Sequence, residues 1–226
     1  MKKMRVVEIA GNLMIKNDAI AGRLRERFAA SATLVVNLLS SPGSGKTTLL
    51  QETLCRLAPR YRTAALVGDQ ATDNDATRLS ASGAPVRQIT TGAECRLDAE
   101  MIVKALAGWE GERFDVLFVE NVGNLICPAE YDLGEDLRVV LFSVTEGEDK
   151  PLKYPLAFNT SHVVLITKSD IARAVGYDRS AATASIRQVN PAAQILEISV
   201  RSDTGVDAWI ELLERRMREK SLAPAR

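Results

Sequence analysis

Residues 40–48 read SSPGSGKTT, and this stretch decides how the rest of the chain is interpreted. The apolar run at residues 34–39 predicts a buried strand before it, and residues 48–57 predict a helix after it. A glycine-containing loop between a strand and a helix suits phosphate, because glycines let backbone N–H groups converge on an anion and the helix N-terminus adds positive charge. The sequence therefore predicts a phosphate-binding loop.

The side chains of this loop have separate predicted roles. Lys46 would reach the outer phosphates, and the Thr47 hydroxyl would bind Mg²⁺. Ser40 replaces the first glycine of the usual G-x-x-x-x-G-K-[ST] pattern, so a glycine turn that binds nothing is the alternative. The predicted phosphate ligands are Gly43, Ser44, Gly45, Lys46, Thr47 and Thr48.

Composition indicates one α/β domain over residues 1–226, with residues 221–226 expected to form a disordered tail. A formal net charge of zero removes the electrostatic reason to expect nucleic acid as a partner. No apolar run approaches the roughly 18 residues of a membrane span, so we expect no membrane association and a cytoplasmic location. Three cysteines are too few for a disulfide framework, which favours free thiols or metal ligands.

Predicted strands and helices alternate along the chain. Residues 1–30 include an amphipathic helix, in which Ile15, Ile20, Leu24 and Phe28 recur at helical spacing. Further strands are predicted near 63–68, 85–90, 114–120, 137–144, 162–167 and 194–199, and further helices near 74–82, 96–108, 178–189 and 205–220. This order predicts a three-layer α/β fold, in which helices cover both faces of a mostly parallel sheet and ligands bind at the carboxyl ends of the strands.

A carboxylate ends the strand predicted at residues 114–120. Glu120 could hold Mg²⁺ beside the phosphate loop, and the N–H of Gly123 could meet a γ-phosphate without obstruction by a side chain. Residues 120–123 are therefore a candidate second switch, whose order would depend on the third phosphate. The alternative is that Glu120 pairs with a nearby cation.

An acidic segment, GDQATDND at residues 68–75, follows the strand predicted near residues 63–68. Its position is that of a first switch, so Asp69 and Asp75 are candidates for ordering the metal ion and the attacking water. A solvated acidic loop is the alternative interpretation.

The segment TKSD, residues 167–170, indicates which base is bound. Guanine presents N1–H and an exocyclic amine that one carboxylate can accept together, whereas adenine has no matching pair of donors. Asp170 would make this contact, and the stem of Lys168 would lie over the base. Thr167, at the end of the strand, together with Ser199 and Val200 in the last loop, would complete the base site. The predicted ligand is GTP with Mg²⁺.

With these elements in register, the chain resembles the HypB family, the GTPases of nickel insertion into [NiFe] hydrogenase, within a wider group that includes the urease accessory GTPases. The segments that carry the resemblance are SSPGSGKTTLL (40–50), GDQATDNDA (68–76), TGAECRLDA (91–99), ENVGNLICPAEYDLGE (120–135), TEGEDKPLKYP (145–155) and TKSD (167–170). The resemblance implies a P-loop GTPase fold of the SIMIBI type. It also implies a homodimer that forms with GTP and holds a metal ion at its interface.

Cys95 and Cys127 match the two thiol positions of the family's metal site, but Arg96 stands where the family has histidine. Two protomers would still bring four thiolates together, which suits Zn²⁺ and need not reject Ni²⁺. The alternative is that both cysteines are small buried residues. Cys55 is expected in the core, and the single histidine, His162, is expected at a strand edge.

The resemblance further implies an accessory role in metalloenzyme maturation, with Mg²⁺-assisted attack of water on the γ-phosphate as the reaction. Lys153 matches a position that reaches the partner's nucleotide, with a solvated lysine as the alternative. Besides a second copy of the chain, the implied partners are another nickel-insertion accessory protein and a metalloenzyme client. A urease-type client, a metal carrier with little catalytic role, and a small-molecule kinase or ATPase are the alternatives. No cis glutamine or arginine finger is evident, so slow turnover is expected.

Overall fold

The computed structural model describes residues 2–70 and 73–223, and the side chains among them from Leu13 onward. The strands are β1 (Leu34–Ser40), β2 (Thr63–Asp69), β3 (Val86–Thr90), β4 (Val116–Glu120), β5 (Leu137–Ser143), β6 (Val163–Thr167) and β7 (Gln194–Ile198). The helices are α1 (Lys2–Ala30), α2 (Lys46–Leu57), α3 (Asn74–Ser80), α4 (Ala99–Leu106), α5 (Lys150–Lys153), α6 (Pro155–Asn159), α7 (Arg179–Val189) and α8 (Val206–Leu222).

The strands form one sheet in the order β3-β2-β4-β1-β5-β6-β7, and every neighbouring pair is parallel. β1 lies at the centre, between β4 and β5, and all of its residues are buried. A strand buried on both faces is what a parallel sheet between two helical layers requires. The predicted sheet is confirmed, and its parallel strands bring their carboxyl ends to one edge.

Two helical layers enclose the sheet. On one face α2, α3 and α8 pack through Leu50, Leu79 and Trp209, and the indole Nε1 of Trp209 donates a hydrogen bond to Thr53 Oγ1 over 3.0 Å. On the other face, α1 and α4 form one apolar cluster and α6 and α7 form another. The three-layer α/β fold is therefore confirmed.

The predicted apolar stripe of α1 is wrong at its first member. Ile20, Leu24 and Phe28 are buried, but Ile15 is 69% exposed. Asn17 Oδ1 accepts a hydrogen bond from the backbone N–H of Ala99, which ties this turn of α1 to the start of α4. Ile15 lies before that contact.

Two further boundaries differ from the sequence prediction. α8 continues to Leu222, so the first residues of the expected disordered tail are helical, while residues 224–226 lie outside the described part. The segment between β5 and β6 contains two short helices, α5 and α6, where none was predicted. In the part of the chain that the structure describes, no helix combines the length and the apolar character needed to cross a membrane.

Candidate functional site

The loop between β1 and α2 lines a cavity of about 590 Å³ together with the carboxyl ends of β2 and β4. Gly43 and Gly45 have φ angles of 76° and 95°, a left-handed region that glycine adopts at low cost. The loop therefore turns sharply at these two positions and leads directly into the N-terminus of α2. This is the strand, loop and helix arrangement predicted for phosphate binding.

Lys46 is buried at the base of this loop. Its Nζ donates a hydrogen bond to Ser40 Oγ over 2.8 Å, so the residue that replaces the usual first glycine fixes the position of the lysine. Burial lowers the pKa of Lys46, while the negative charges of nearby carboxylates, chiefly Glu120, raise it. The ammonium group is thus held by a neutral hydroxyl inside a cavity where an anion could approach it.

Thr47 and Glu120, predicted as metal ligands, are in direct contact. The Thr47 hydroxyl donates to Glu120 Oε1 over 2.7 Å, and Glu120 forms no ion pair with any described residue. Burial raises the pKa of Glu120 to about 7, although the positive charge of Lys46 opposes the shift. Asp75, on α3, lines the same cavity. A hydroxyl oxygen and carboxylate oxygens are the donor set that Mg²⁺ prefers, so these residues fit that ion.

Residues 120–123 pack closely against the phosphate loop. A Cβ atom placed on Gly123 would lie only 3.3 Å from Cα of Pro42, so glycine permits this approach. Asn121 fixes the segment, because its Oδ1 accepts from the backbone N–H groups of Leu97 and Val122. Sequence reasoning assigned no role to Asn121, since its partner lies 24 residues away.

Asp69 ends β2 and lines the phosphate cavity beside Asp75, and their role in a first switch stays a prediction. Residues 71 and 72 of this segment lie outside the described part. Arg78, on α3, lines the same cavity and was not found from the sequence. Its spacing of three residues from Asp75, on the same helix face, was the available signal.

A second cavity, of about 260 Å³, lies next to the first and contains the predicted base site. It is lined by Ser44, Gly45, Thr48, Leu49, Thr167, Lys168, Asp170, Ile171, Ile198, Ser199, Val200 and Arg201. Ser199 Oγ donates to Asp170 Oδ1 over 2.7 Å, and Thr167 Oγ1 donates to the carbonyl oxygen of Ser44 over 2.8 Å. Lys168 lines both cavities. One ligand with a phosphate chain and a planar base could therefore occupy the two together.

The phosphate loop also contacts the segment that carries α5. Ser44 Oγ donates to Glu146 Oε1 over 2.6 Å, and Glu146 Oε2 lies 3.2 Å from Lys150 Nζ. Lys153, two-thirds exposed at the end of α5, forms an ion pair with Asp149 and lines neither of these two cavities. The structure thus leaves Lys153 on the surface of the chain.

The sequence favoured free thiols or metal ligands, and the expectation of free thiols is wrong for Cys95 and Cys127, which form a disulfide across 32 residues. The hydrogen bond from Leu97 N to Asn121 Oδ1 brings the two cysteine-bearing segments side by side. Arg96, next to this bond, forms an ion pair with Glu94 at 2.6 Å and lies 4.0 Å from the centre of the Tyr131 ring. Of the residues described, no three or more of the types His, Cys, Asp and Glu are grouped to hold a metal ion. A metal site with Cys95 and Cys127 therefore needs the reduced form and a further donor.

The expectations for Cys55 and His162 had different outcomes. Cys55 is exposed rather than in the core, because α2 buries Leu50, Leu54 and Leu57 on its opposite side. His162 lies directly before β6, as predicted, and its Nδ1 accepts a hydrogen bond from the backbone N–H of Arg138.

Comparison with known proteins agrees with this geometry. Residues 34–197 match the family model for the CobW/HypB/UreG nucleotide-binding domain. The chain is 48% identical, over 214 residues, to the hydrogenase maturation factor HypB of Escherichia coli K12, covering 95% of this chain and 74% of that one.

Two solved structures are similar to this fold, each at 38% sequence identity. HypB from Archaeoglobus fulgidus has a TM-score of 0.84, covering 90% of this chain and 100% of that one. HypB from Helicobacter pylori in complex with nickel has a TM-score of 0.85, covering 92% of this chain and 98% of that one. The chain therefore belongs to the HypB family of hydrogenase maturation factors, within the CobW/HypB/UreG group of nucleotide-binding domains.

Proposed function

We propose that the protein is a Mg²⁺-dependent GTPase that acts as an accessory factor for nickel insertion into [NiFe] hydrogenase. One observation carries the nucleotide part of this proposal: the phosphate cavity, which contains Lys46, and the base cavity, which contains Asp170, are adjacent and share lining residues. Membership of the HypB family supports the accessory role, and a relative of known structure holds nickel.

The selection of guanine rests on the carboxylate of Asp170. The hydrogen bond from Ser199 holds one oxygen and thereby orients the carboxylate plane in the base cavity. A carboxylate so placed can accept from N1–H and the exocyclic amine of guanine, whereas N1 of adenine is itself an acceptor and would repel it. Val200 and the stem of Lys168 would enclose the ring.

Hydrolysis would use residues that surround the phosphate cavity. The ammonium group of Lys46 and the backbone N–H groups of residues 43–48 stabilise negative charge on the phosphate oxygens. Thr47, Glu120 and Asp75 would hold Mg²⁺, which when bound neutralises charge on the β- and γ-phosphates. Asp69 would order the water that attacks the γ-phosphorus, and the bond to the β-phosphate oxygen breaks to give GDP and phosphate.

Glu120 must be ionised to serve as a metal ligand. Burial raises its pKa to about 7, so the metal-free carboxyl keeps its proton to a higher pH than an exposed glutamate does. Gly123, which lies close to Pro42, would bind the γ-phosphate through its N–H and so couple the order of the second switch to that phosphate. Residues 120–123 contain no glutamine, so turnover is expected to be slow, as suits a switch.

The switch would act through a homodimer that forms when GTP is bound. Lys153 is exposed and available to reach the nucleotide of the partner protomer. Reduced Cys95 and Cys127 of two protomers would supply four thiolates at the interface for the transported Ni²⁺, or for Zn²⁺. Thiolates persist in a reducing compartment, which favours the cytoplasm. Further partners would be another nickel-insertion accessory protein and the client enzyme.

Binding of labelled GTP and ATP to the purified, reduced protein in the presence of Mg²⁺ tests the proposal. We expect a preference for GTP of about a hundredfold or more, because adenine would cover the Asp170 carboxylate without offering it the two donors of guanine. Equal affinity for the two nucleotides would refute the assignment and favour a kinase or ATPase. Light scattering with a GTP analogue tests the dimer, and an unchanged mass would count against it.

A further inference from the structure

The side chain of Arg78 extends from α3 onto α2 at the edge of the phosphate cavity. Its Nε donates a hydrogen bond to Gln51 Oε1 over 2.8 Å, and its Nη2 donates to Thr48 Oγ1 over 3.1 Å. Thr48 lies in the first turn of α2, where the N-terminal N–H groups attract anions. The two contacts therefore hold the guanidinium group beside the place where phosphates are expected.

Both partners of Arg78 are neutral. Among the described side chains, those of residues 13–70 and 73–223, Arg78 has no ion-pair partner, whereas Arg56 on the neighbouring helix α2 pairs with three carboxylates. The charge of Arg78 acts on the cavity: burial raises the pKa of Glu120, and the positive charge of Arg78 is one of the effects that oppose this rise. A guanidinium that is fixed in direction but has no counter-ion is prepared for an anionic ligand.

We propose that Arg78 is a further phosphate-binding residue, which α3 supplies to the phosphate chain of the nucleotide bound by the same protomer. This inference rests on the proposed function in taking the ligand to be a nucleoside triphosphate. A guanidinium group has five N–H donors, and Gln51 and Thr48 engage two of them. The remaining donors can reach phosphate oxygens, and Lys46 would lie on the other side of the phosphate chain.

The contact has a consequence for the first switch. Asp75 and Arg78 lie three residues apart on α3, so both face the cavity. When Arg78 binds phosphate and Asp75 takes part in holding Mg²⁺, the whole of α3 is tied to the ligand. The order of α3, residues 74–80, then depends on the nucleotide. Arg78 also places a fixed positive charge where negative charge is carried by the reacting phosphates.

A purely structural role, in which Arg78 only ties α3 to α2, predicts different results. In that case, removal of its partner by Gln51→Ala should have the same effect as Arg78→Gln. The salt dependence of ligand binding should also stay the same, because no phosphate contact would be lost. The phosphate-binding role predicts that the two variants differ and that the slope of affinity against salt concentration becomes shallower in Arg78→Gln.

Tripolyphosphate is the decisive probe, because it has the phosphate chain but no base. Its affinity for the full chain is measured by calorimetry at several salt concentrations. Arg78→Gln should weaken binding of tripolyphosphate and of GTP by about tenfold or more. Gln51→Ala should weaken binding by no more than about threefold, since the cation remains. The matched control, Arg218→Gln on α8, removes one exposed arginine that lines neither cavity. It should change neither the affinity for tripolyphosphate nor that for GTP.

A second measurement uses the unaltered protein, in case Arg78→Gln does not fold. Phenylglyoxal modifies exposed arginines, and mass spectrometry gives the extent at each site. Tripolyphosphate should protect Arg78, which is exposed in the free chain, but not Arg218. Equal modification of Arg78 with and without the probe, or equal affinity in Arg78→Gln, would overturn the inference. Equal affinity of the unaltered protein for GTP and ATP would instead refute the proposed function, and it would leave the result with tripolyphosphate intact.

Discussion

The Thr47 hydroxyl donates a hydrogen bond to Oε1 of Glu120 over 2.7 Å, and Oε2 of the same carboxyl group is buried without a hydrogen-bond partner among the described residues. A buried carboxylate that is only half satisfied costs free energy unless it gains a proton or a cation. The pKa of Glu120, raised to about 7 by burial, reflects this cost. The carboxyl group of Glu120, which we propose as a metal ligand, therefore destabilises the metal-free protein.

Glu120→Gln is expected to stabilise the metal-free protein at high pH. Because the folded state holds the proton up to about pH 7 and the unfolded state releases it near 4.5, the wild type loses stability as pH rises between these values. The difference in the free energy of unfolding between variant and wild type should grow over this range and level off above it. The plateau should be at most about 3 kcal/mol. Urea denaturation in EDTA, from pH 4.5 to 8.5, measures it.

Glu110→Gln, which makes the same substitution at an exposed glutamate, is the matched control. With Mg²⁺ and a GTP analogue present, the order should reverse, because Glu120→Gln removes a proposed ligand of the ion. A difference for Glu120→Gln that is constant from pH 4.5 to 8.5 would show that this carboxyl is already ionised in the folded protein.

Asp170→Asn should change which base is bound. An asparagine side chain offers one acceptor and one donor, which match N1–H and the C2 carbonyl of xanthine rather than the two donors of guanine. Affinity for GTP should fall by about tenfold or more, and affinity for XTP should rise. Ser199→Ala, which removes the hydrogen bond to Asp170, should weaken GTP binding by less than this and leave XTP binding weak.

Competition against a fluorescent guanine nucleotide measures both affinities. Tripolyphosphate serves as the control ligand, because it does not enter the base cavity and should bind Asp170→Asn and wild type equally. If Asp170→Asn keeps its preference for GTP, another residue of the base cavity selects the base.

Local patterns predicted those parts of the molecule that depend on short segments. The strands predicted at residues 34–39 and near 114–120 are present and buried as β1 and β4, although β4 begins only at Val116. The turn at Gly43 and Gly45 has the left-handed angles that a phosphate loop requires. These features follow from strand hydrophobicity and from glycine conformation, so they can be read without the fold.

Contacts between distant segments could not be predicted in this way. Ser44 and Glu146 are 102 residues apart, and Arg78 meets Thr48 only because α3 packs beside α2. The exposure of Cys55 depends on which side of α2 faces the sheet, and the one-sided burial of that helix is a tertiary property. The pairing of Cys95 with Cys127 likewise depends on the hydrogen bond of Asn121, which no local pattern indicates.

Reduction of Cys95 and Cys127 should be required for metal binding. The oxidised pair has no thiolate to offer, so the chain with the intact disulfide should bind less Ni²⁺ or Zn²⁺ than the reduced chain in the presence of a GTP analogue. Cys95→Ser and Cys127→Ser should each lose most of the bound metal. Cys55→Ser, at an exposed cysteine outside the pair, is the control and should keep it. Metal content per chain, measured by mass spectrometry after gel filtration, decides this, and equal content in all four proteins would exclude a thiolate site.

Glu146→Gln should weaken the GTP-dependent dimer more than it weakens GTP binding. Glu146 Oε1 accepts from Ser44 Oγ in the phosphate loop, and Oε2 lies 3.2 Å from Lys150 Nζ at the start of α5, the helix that ends in Lys153. The glutamine can still accept from Ser44, but it loses the ion pair that fixes α5. We therefore expect GTP affinity to change by less than about threefold and the dimer dissociation constant to rise by about tenfold.

Sedimentation at several protein concentrations with a GTP analogue measures the dimer, and calorimetry measures the nucleotide. Glu148→Gln, in the same loop, changes the same charge but leaves both contacts of Glu146 in place, so it should match the wild type in both measurements. If Glu146→Gln changes GTP affinity and dimerisation by the same factor, Glu146 serves the nucleotide site alone. A loss of dimer at unchanged affinity requires instead that Glu146 transmits the state of the phosphate loop to α5.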